Sequence, residues 1–137
     1  MSNLPISVLV IISLFFLVSC QGGNAEPTPE TCSYFHTGTF KYVGNEDVRI
    51  ERTENQQIEY NLNGDGGYIF TDYYSIVWTN ECEYYLTLDS TDQEQDLGFS
   101  KSDTMWAKIS TISRTGYSFI AVKDNKTYQG ELRKTSS

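Results

Sequence analysis

The sequence has few of the residues that build metal sites and nucleic-acid interfaces. Its 137 residues include one histidine, and 10 lysines and arginines stand against 18 acidic residues, for a net charge of −8. A single histidine disfavours His-rich metal sites and most catalytic triads. Duplex-binding proteins usually carry a basic footprint, so we expect no nucleic-acid partner. The length suits one domain, and an apolar content of 39% with 14% aromatics excludes wholesale disorder.

A single long apolar run lies at the N-terminus, from Leu4 to Val18. It is shorter than the roughly 20 residues that a helix needs to span a bilayer, and it predicts a signal peptide over residues 1–19. The run ends in Leu17-Val18-Ser19-Cys20, which resembles the lipobox of bacterial lipoproteins. The resemblance implies that Cys20 is lipidated, with palmitate among its acyl chains, and holds the protein on a membrane. The alternative is an ordinary signal peptide followed by a free cysteine.

Gln21 follows the lipidated cysteine. By resemblance to envelope lipoproteins, the absence of Asp at this position implies the outer membrane of the bacterial cell envelope, on either the periplasmic or the outer surface. The segment from Gln21 to Thr31 is rich in Gly and Pro and has no large apolar residue. We therefore expect residues 20–31 to be the lipidated cysteine and a flexible tether, and residues 32–137 to be a single folded domain.

The apolar pattern of the folded body has a period of two residues, which is typical of strands. Strand-like runs lie at residues 36–43, 47–53, 56–62, 68–71, 75–79, 82–88, 104–112, 116–122 and 127–133, with a short one at 97–99. Asn63-Gly64-Asp65-Gly66-Gly67 is a strong turn signal between two of them. We predict an all-β fold, an antiparallel up-and-down meander of eight or nine short strands that closes into a lipocalin-like barrel. A β-sandwich is the alternative.

The segment Thr37-Gly38-Thr39-Phe40 opens the first strand run and resembles the Gly-x-aromatic start of lipocalin-type barrels. In those barrels the aromatic ring plugs the closed end, and an arginine from the last strand packs over it. The resemblance implies that Phe40 is the plug and that Arg133 is the covering arginine.

A second resemblance covers most of the mature chain. It is carried by Cys32, the run Phe35-His36-Thr37-Gly38-Thr39-Phe40-Lys41-Tyr42, the runs Ile50-Glu51-Arg52-Thr53 and Gln57-Ile58-Glu59, and Trp78 with Cys82-Glu83-Tyr84. These residues are similar to a family of small, functionally uncharacterised lipoproteins of Bacteroidetes-type bacteria with a lipocalin-like (calycin-like) barrel. Some members carry the label DNA topoisomerase IV. A secreted, acidic β-body of this size has no room for an ATPase or DNA-cleavage domain, so the resemblance informs topology and location only.

The sequence has three cysteines, and if Cys20 carries lipid, two remain in the folded body. Cys32 and Cys82 then form an even pair in an oxidising compartment, which predicts a disulfide. Two reduced core cysteines are the alternative. The sequence has no Cys-x-x-Cys motif, so a redox function is not expected.

Two features could hold a metal or a catalytic group. Asp89, Asp92, Glu94 and Asp96 could supply oxygen ligands to Ca²⁺, but their spacing does not match an EF-hand loop, and we favour a solvated acidic loop. His36 has no partner at a recognisable spacing, and we expect a packed or surface histidine. The sequence therefore predicts no catalytic residue, no metal and no cofactor.

Aromatic side chains are abundant in the body and could line a cup for a small apolar ligand. The candidates are Phe40, Tyr42, Tyr60, Tyr84, Trp106, Tyr117, Phe119 and Tyr128. They could equally fill the barrel, as side chains do in small barrels. The leading hypothesis is a non-catalytic, lipid-anchored envelope protein that binds a small apolar ligand or a protein partner. The alternatives are an interaction module with a filled core, such as an inhibitor or assembly subunit with an apolar patch on one rim, and a hydrolase with paired carboxylates.

Overall fold

The computed structural model describes residues 28–93 and 99–137, which contain one short helix and eight strands. The predicted signal peptide, Cys20 and the tether as far as residue 27 lie outside the described residues, as do Glu94 and Asp96. The elements in chain order are a 3-10 helix at Cys32–Phe35, β1 at Gly38–Tyr42, β2 at Asn45–Arg52, β3 at Gln56–Leu62, β4 at Tyr68–Asn80, β5 at Glu83–Thr91, β6 at Thr104–Ile112, β7 at Gly116–Lys123 and β8 at Lys126–Ser136. In the part of the chain described, no helix is long and apolar enough to cross a membrane.

The eight strands form a closed antiparallel barrel in which each strand pairs with the next along the chain. The barrel closes because β8 pairs with β1, placing Phe40 opposite Lys134 and Tyr42 opposite Leu132. The predicted all-β meander is confirmed, and the fold is a barrel and not a sandwich. Closure leaves no unpaired sheet edge to be protected.

Several strand bounds differ from the sequence prediction, since β1 is shorter at Gly38–Tyr42 and β5 and β8 are longer, and one difference joins two predicted runs. The runs at 68–71 and 75–79 belong to a single strand, β4, which has 13 residues. The segment between them stays extended because β3 pairs with β4 along its whole length, from Gln56 opposite Ser75 to Leu62 opposite Tyr68. The short run predicted at 97–99 lies mostly outside the described residues, and Phe99 itself is not in a strand.

Two of the hairpin turns follow from residues that accept positive φ. In the β3–β4 turn, Oδ1 of Asn63 accepts hydrogen bonds from the backbone N–H groups of Asp65 and Gly67, at 3.1 and 2.8 Å. In the β7–β8 turn, Asp124 and Asn125 have φ values of 50° and 61°. Positive φ at both central residues matches the right-handed twist of the flanking strands.

The 3-10 helix closes one end of the barrel. Its last residue, Phe35, is fully buried, and its first residue forms a disulfide with Cys82, the residue before β5, across a Cα–Cα distance of 5.2 Å. The predicted bridge is therefore present. It links residues separated by 50 positions, and a loop of that length stabilises the fold by about 4 kcal/mol in the chain-entropy model.

The two ends of the barrel are defined by these elements. The closed end carries the 3-10 helix, the disulfide and the β2–β3, β4–β5 and β6–β7 turns. The open end carries the β1–β2, β3–β4 and β7–β8 turns and the long β5–β6 connection. Because the chain enters the barrel through the 3-10 helix, the predicted tether joins the folded body at the closed end.

Candidate functional site

A buried arginine lies at the closed end of the barrel interior. The side chain of Arg52, the last residue of β2, is nearly inaccessible, with 4% of the residue exposed. Its Nη1 donates hydrogen bonds to the backbone oxygen of Phe35 at 3.1 Å and to the hydroxyl of Tyr117 at 2.8 Å. Its Nε donates to Oε1 of Gln57 at 2.7 Å. One guanidinium thus connects the 3-10 helix with β2, β3 and β7.

Arg52, and not Arg133, covers the Phe40 ring. The guanidinium carbon of Arg52 lies 4.9 Å from the centre of that ring, a cation–π distance. The expectation for Arg133 was wrong because Arg133 follows the inward-facing Leu132 on β8, and successive strand residues point to opposite faces. Its side chain is half exposed and donates to Oε1 of Glu46 at 2.9 Å.

Arg52 keeps its positive charge in this site. Burial alone lowers the pKa of a guanidinium, but the neighbouring hydroxyls of Tyr117 and Tyr84, and the hydrogen bond to Tyr117, raise the pKa of Arg52 above its ordinary value. No carboxylate in the described ranges forms an ion pair with it. The interior therefore holds a full positive charge whose direct partners are neutral oxygens.

The strand beside β2, which is β3, has its polar side chains on the inner face of the barrel. Gln57 pairs with Arg52, Glu59 with Ile50 and Asn61 with Val48, so all three lie on the inner face of β3. Gln57 links two of the polar groups, because it accepts from Arg52 and donates from Nε2 to Oε1 of Glu59 at 2.7 Å. The apolar residues Ile58, Tyr60 and Leu62 consequently face outward.

Glu59 is a partly buried carboxyl group on the inner face of the barrel. Burial raises its pKa to about 7, and the facing carboxylate of Asp72 on β4 adds to the rise, while the hydrogen bond from Gln57 and the charge of Arg52 oppose it. Burial also raises the pKa of Asp72. Glu59 is therefore close to half protonated at neutral pH.

The structure brings five of the eight candidate aromatic residues together in the interior. Phe40, Tyr42, Tyr84, Tyr117 and Phe119 share the inner face, with ring centres 6.1 Å apart for Phe40 and Tyr117, 6.2 Å for Tyr42 and Phe119, and 6.4 Å for Tyr117 and Phe119. These rings pack edge to face and fill the space between the strands.

The other three candidates lie elsewhere. Tyr60 is on the outer wall, where its ring contacts Tyr68 at 5.8 Å and the guanidinium of Arg49 at 4.5 Å. Trp106 pairs with Tyr85 and Val122 on the outer face of β6. Tyr128 pairs with the inward-facing Ala121, but it lies at the open end with 48% of its surface exposed.

The interior contains a small polar cavity beside Arg52. Its volume is about 20 Å³, enough for roughly one water molecule and far below the roughly 300 Å³ of a typical small-molecule pocket. Its lining combines polar and apolar side chains: Tyr42, Arg52, Gln57, Glu59, Tyr84, Leu86, Met105, Ala107, Phe119, Ala121 and Leu132. Depressions of about 340 and 390 Å³ lie on the outside of the barrel and are open to solvent.

His36 and the acidic residues take part in local contacts. His36 stacks on Trp78 with ring centres 3.6 Å apart, and its Nε2 lies 2.8 Å from the backbone oxygen of Glu81. Asp89 accepts from the Ser75 hydroxyl at 2.7 Å, and Asp92 accepts from the backbone N–H of Thr71. Within residues 28–93 and 99–137, no three His, Cys, Asp or Glu side chains are grouped so as to hold a metal ion.

Comparison with known proteins gives one structural likeness. The barrel is similar to the crystal structure of a lipocalin-like protein from Bacteroides uniformis, with 14% sequence identity, coverage of 72% of this chain and 97% of that chain, and a TM-score of 0.49. No family model matches the sequence, and no curated protein matches it. The assignment of the barrel rests on the strand pairing of this chain itself.

Replacing Arg52 by Lys is expected to destabilise the fold by at least about 3 kcal/mol, because a single ammonium group cannot make the three hydrogen bonds of the guanidinium. Arg133→Lys is the matched control, and we expect it to change stability by less than about 0.5 kcal/mol. Urea unfolding of both variants measures the difference. Equal effects of the two substitutions would show that Arg52 does not hold the closed end together.

Glu59→Gln is expected to remove a pH dependence of stability. Because the pKa of Glu59 rises from 4.5 in the unfolded chain to about 7 in the fold, the folded protein binds this proton more tightly than the unfolded chain. Stability from this group is present below about pH 4.5 and is lost as the pH rises through about 7, by on the order of 3 kcal/mol.

The variant keeps a neutral side chain at every pH, so it should match the wild type in acid and exceed it above neutrality. Urea unfolding across this pH range measures the difference, with Glu131→Gln on the exposed face of β8 as the control. A wild-type protein whose stability follows that of Glu59→Gln at every pH would contradict the burial of this carboxyl.

Proposed function

We propose that this protein is a non-catalytic, lipid-anchored module of the bacterial cell envelope that binds a protein partner and has a filled barrel core. The filled interior is the observation that carries the proposal. Five aromatic rings and the Arg52–Gln57–Glu59 chain occupy the space in which an apolar ligand would lie, and the interior cavity beside Arg52 has room for roughly one water molecule. Within residues 28–93 and 99–137, this packing does not support an enclosed apolar ligand.

A hydrolase is the second candidate function, because two carboxyl groups face each other in the interior. We do not propose it, because the neighbouring cavity is too small for a substrate. Glu59 and Asp72 face each other across β3 and β4, and the pKa of each is raised, as expected of paired catalytic carboxylates. The cavity beside Glu59 is too small for a sugar ring or any other organic substrate. Glu59 is also hydrogen-bonded to Gln57, which gives it a place in the polar core.

Exposed apolar side chains at the open end support a protein partner. Val43, Tyr68, Ile69 and Tyr128 are exposed by 49%, 64%, 63% and 48%, and they lie in or beside the β1–β2, β3–β4 and β7–β8 turns. We call these four residues the open rim. An exposed apolar rim is what an interaction module requires. Because the tether joins the body at the closed end, this rim lies at the end of the barrel remote from the proposed lipid anchor.

Native mass spectrometry of the protein purified from its own membranes tests the anchor and the filled core together. We expect a covalent mass increase from acyl chains that is absent from Cys20→Ser, and no small molecule bound in one-to-one ratio. A ligand retained in stoichiometric amount by the wild type, and also by the unlipidated variant, would contradict the filled-core proposal. A wild-type chain without acyl mass would contradict the anchor.

The position of the partner is tested by photo-crosslinking in intact cells. A photoreactive residue at Ile69 or Tyr128 on the open rim should give one discrete protein adduct. The same probe at Asn55 or Arg114, in the β2–β3 and β6–β7 turns of the closed end, should not. Equal adducts from both ends, or adducts from the closed end alone, would refute the open rim as the contact surface.

A further inference from the structure

The positive charge of Arg52 is incompletely matched by its surroundings. Its hydrogen-bond partners are a backbone carbonyl, an amide oxygen and a phenol, all of them neutral. Its Nη2 is buried and has no hydrogen-bond partner among the described residues. Buried charges in proteins are normally paired with an opposite charge. The site therefore lacks both one acceptor and one negative charge.

Arg52 is also one of the residues that line the interior cavity of about 20 Å³. Tyr42, Tyr84 and the carboxyl of Glu59 also line it, and each of them can donate an O–H when it is protonated. The rest of the wall is mostly aliphatic and aromatic, including Leu86, Ala107 and Ala121. The cavity wall thus combines a positive charge, O–H donors and C–H groups around a volume that holds one water molecule or one monatomic ion.

A water molecule and a monatomic anion satisfy this site to different extents. Water can accept from Nη2, but it leaves the charge of Arg52 unbalanced. A halide ion accepts the same N–H, balances the charge and needs no oriented donor of its own. The aliphatic part of the wall suits a large, polarisable, weakly hydrated ion better than it suits a second carboxylate.

Glu59 decides when such an anion is needed. Other charged or titratable groups that face Glu59 are Arg52 on β2, Asp72 and Tyr74 on β4, and Tyr42 on β1. When Glu59 is ionised, its negative charge offsets Arg52 through the Gln57 amide and repels an anion from the cavity. When Glu59 is protonated, the Arg52–Gln57–Glu59 chain of hydrogen bonds carries no negative charge, and Asp72, which faces Glu59 from β4, is the carboxyl group that remains beside it.

We propose that the interior cavity is a binding site for one halide-sized anion, chloride in the cell, which enters as Glu59 takes up a proton. The bound pair is neutral overall, one proton and one anion. The site lies in the barrel interior, where Arg52 lines it from the closed end and Ala121, which pairs with Tyr128 of the open rim, lines it from the other side. The proposal rests on this interior geometry and not on the proposed partner contact.

Thermal unfolding of the full chain in sodium chloride, in sodium bromide and in sodium gluconate at equal ionic strength tests the proposal. Near pH 6 the melting temperature should rise and saturate with chloride and bromide, and gluconate should have no such effect. Near pH 8 the apparent dissociation constant for chloride should be about tenfold larger, because with a pKa of about 7 only roughly a tenth of Glu59 carries the proton. Identical curves in chloride and gluconate near pH 6 would overturn the proposal.

Two variants locate the effect. Ala107→Val fills the cavity and should abolish the specific chloride effect, whereas Thr111→Val, a nearly isosteric apolar substitution at an exposed position of the same strand, should retain it. Glu59→Gln keeps a neutral side chain and should bind chloride equally near pH 6 and pH 8. Retention of the chloride effect by Ala107→Val, or of its pH dependence by Glu59→Gln, would place the anion elsewhere and refute this site.

A bromide-soaked crystal shows the occupant directly. The anomalous signal of bromide is expected within hydrogen-bond distance of Nη2 of Arg52. Density for an ordered water in the cavity, without anomalous signal at saturating bromide and acidic pH, would refute the proposal.

Discussion

Arg52 places a positive charge where the 3-10 helix, β2, β3 and β7 meet. Removing such a charge from water costs several kcal/mol, and the surrounding groups must return that energy through hydrogen bonds and favourable ring contacts. The rings of Phe40, Tyr84 and Tyr117 lie 4.9, 5.2 and 5.9 Å from the guanidinium carbon. The position of the helix, the packing of the plug ring and the orientation of β3 all follow from this one group.

The orientation of β3 shows how far the constraint extends. With its apolar residues inward, β3 would offer Arg52 no acceptor. With its polar face inward, it offers Gln57, whose own N–H in turn has Glu59 as an acceptor. Each polar group thus requires the next, and together with the aromatic rings they fill a space that could otherwise hold a ligand. This packing is the reason that we propose an interaction module and not a carrier of an enclosed ligand.

Much of the fold is readable from the sequence because strand periodicity and turn residues are local signals. The Asn63–Gly67 turn and the strands of the meander are of this kind. The disulfide was predicted on a different ground, the even pair of cysteines that remains once Cys20 is set aside. The inner face of β3 is not readable from local signals, because Ile58, Tyr60 and Leu62 form the more apolar side and would normally face a core. Its true orientation depends on Arg52, with which Gln57 pairs across the strands. The sequence contained part of the signal for this orientation, since Arg52 is two residues after Ile50 and so falls on the same face of β2.

Tyr60 and Trp106 were predicted to line the interior because they are large aromatic residues, and both lie on the outer wall.

The charge of Arg52 organises a barrel interior in which the carboxyl group of Glu59 is partly shielded from water. A titration of the Glu59 carboxyl carbon by NMR in the folded chain tests it most directly. We expect half-protonation near pH 7, because burial and the facing Asp72 raise the pKa of Glu59 by more than Gln57 and Arg52 lower it. Half-protonation near 4.5, the value for a solvated glutamate, would show that water solvates this carboxyl group and that Arg52 does not organise a shielded interior.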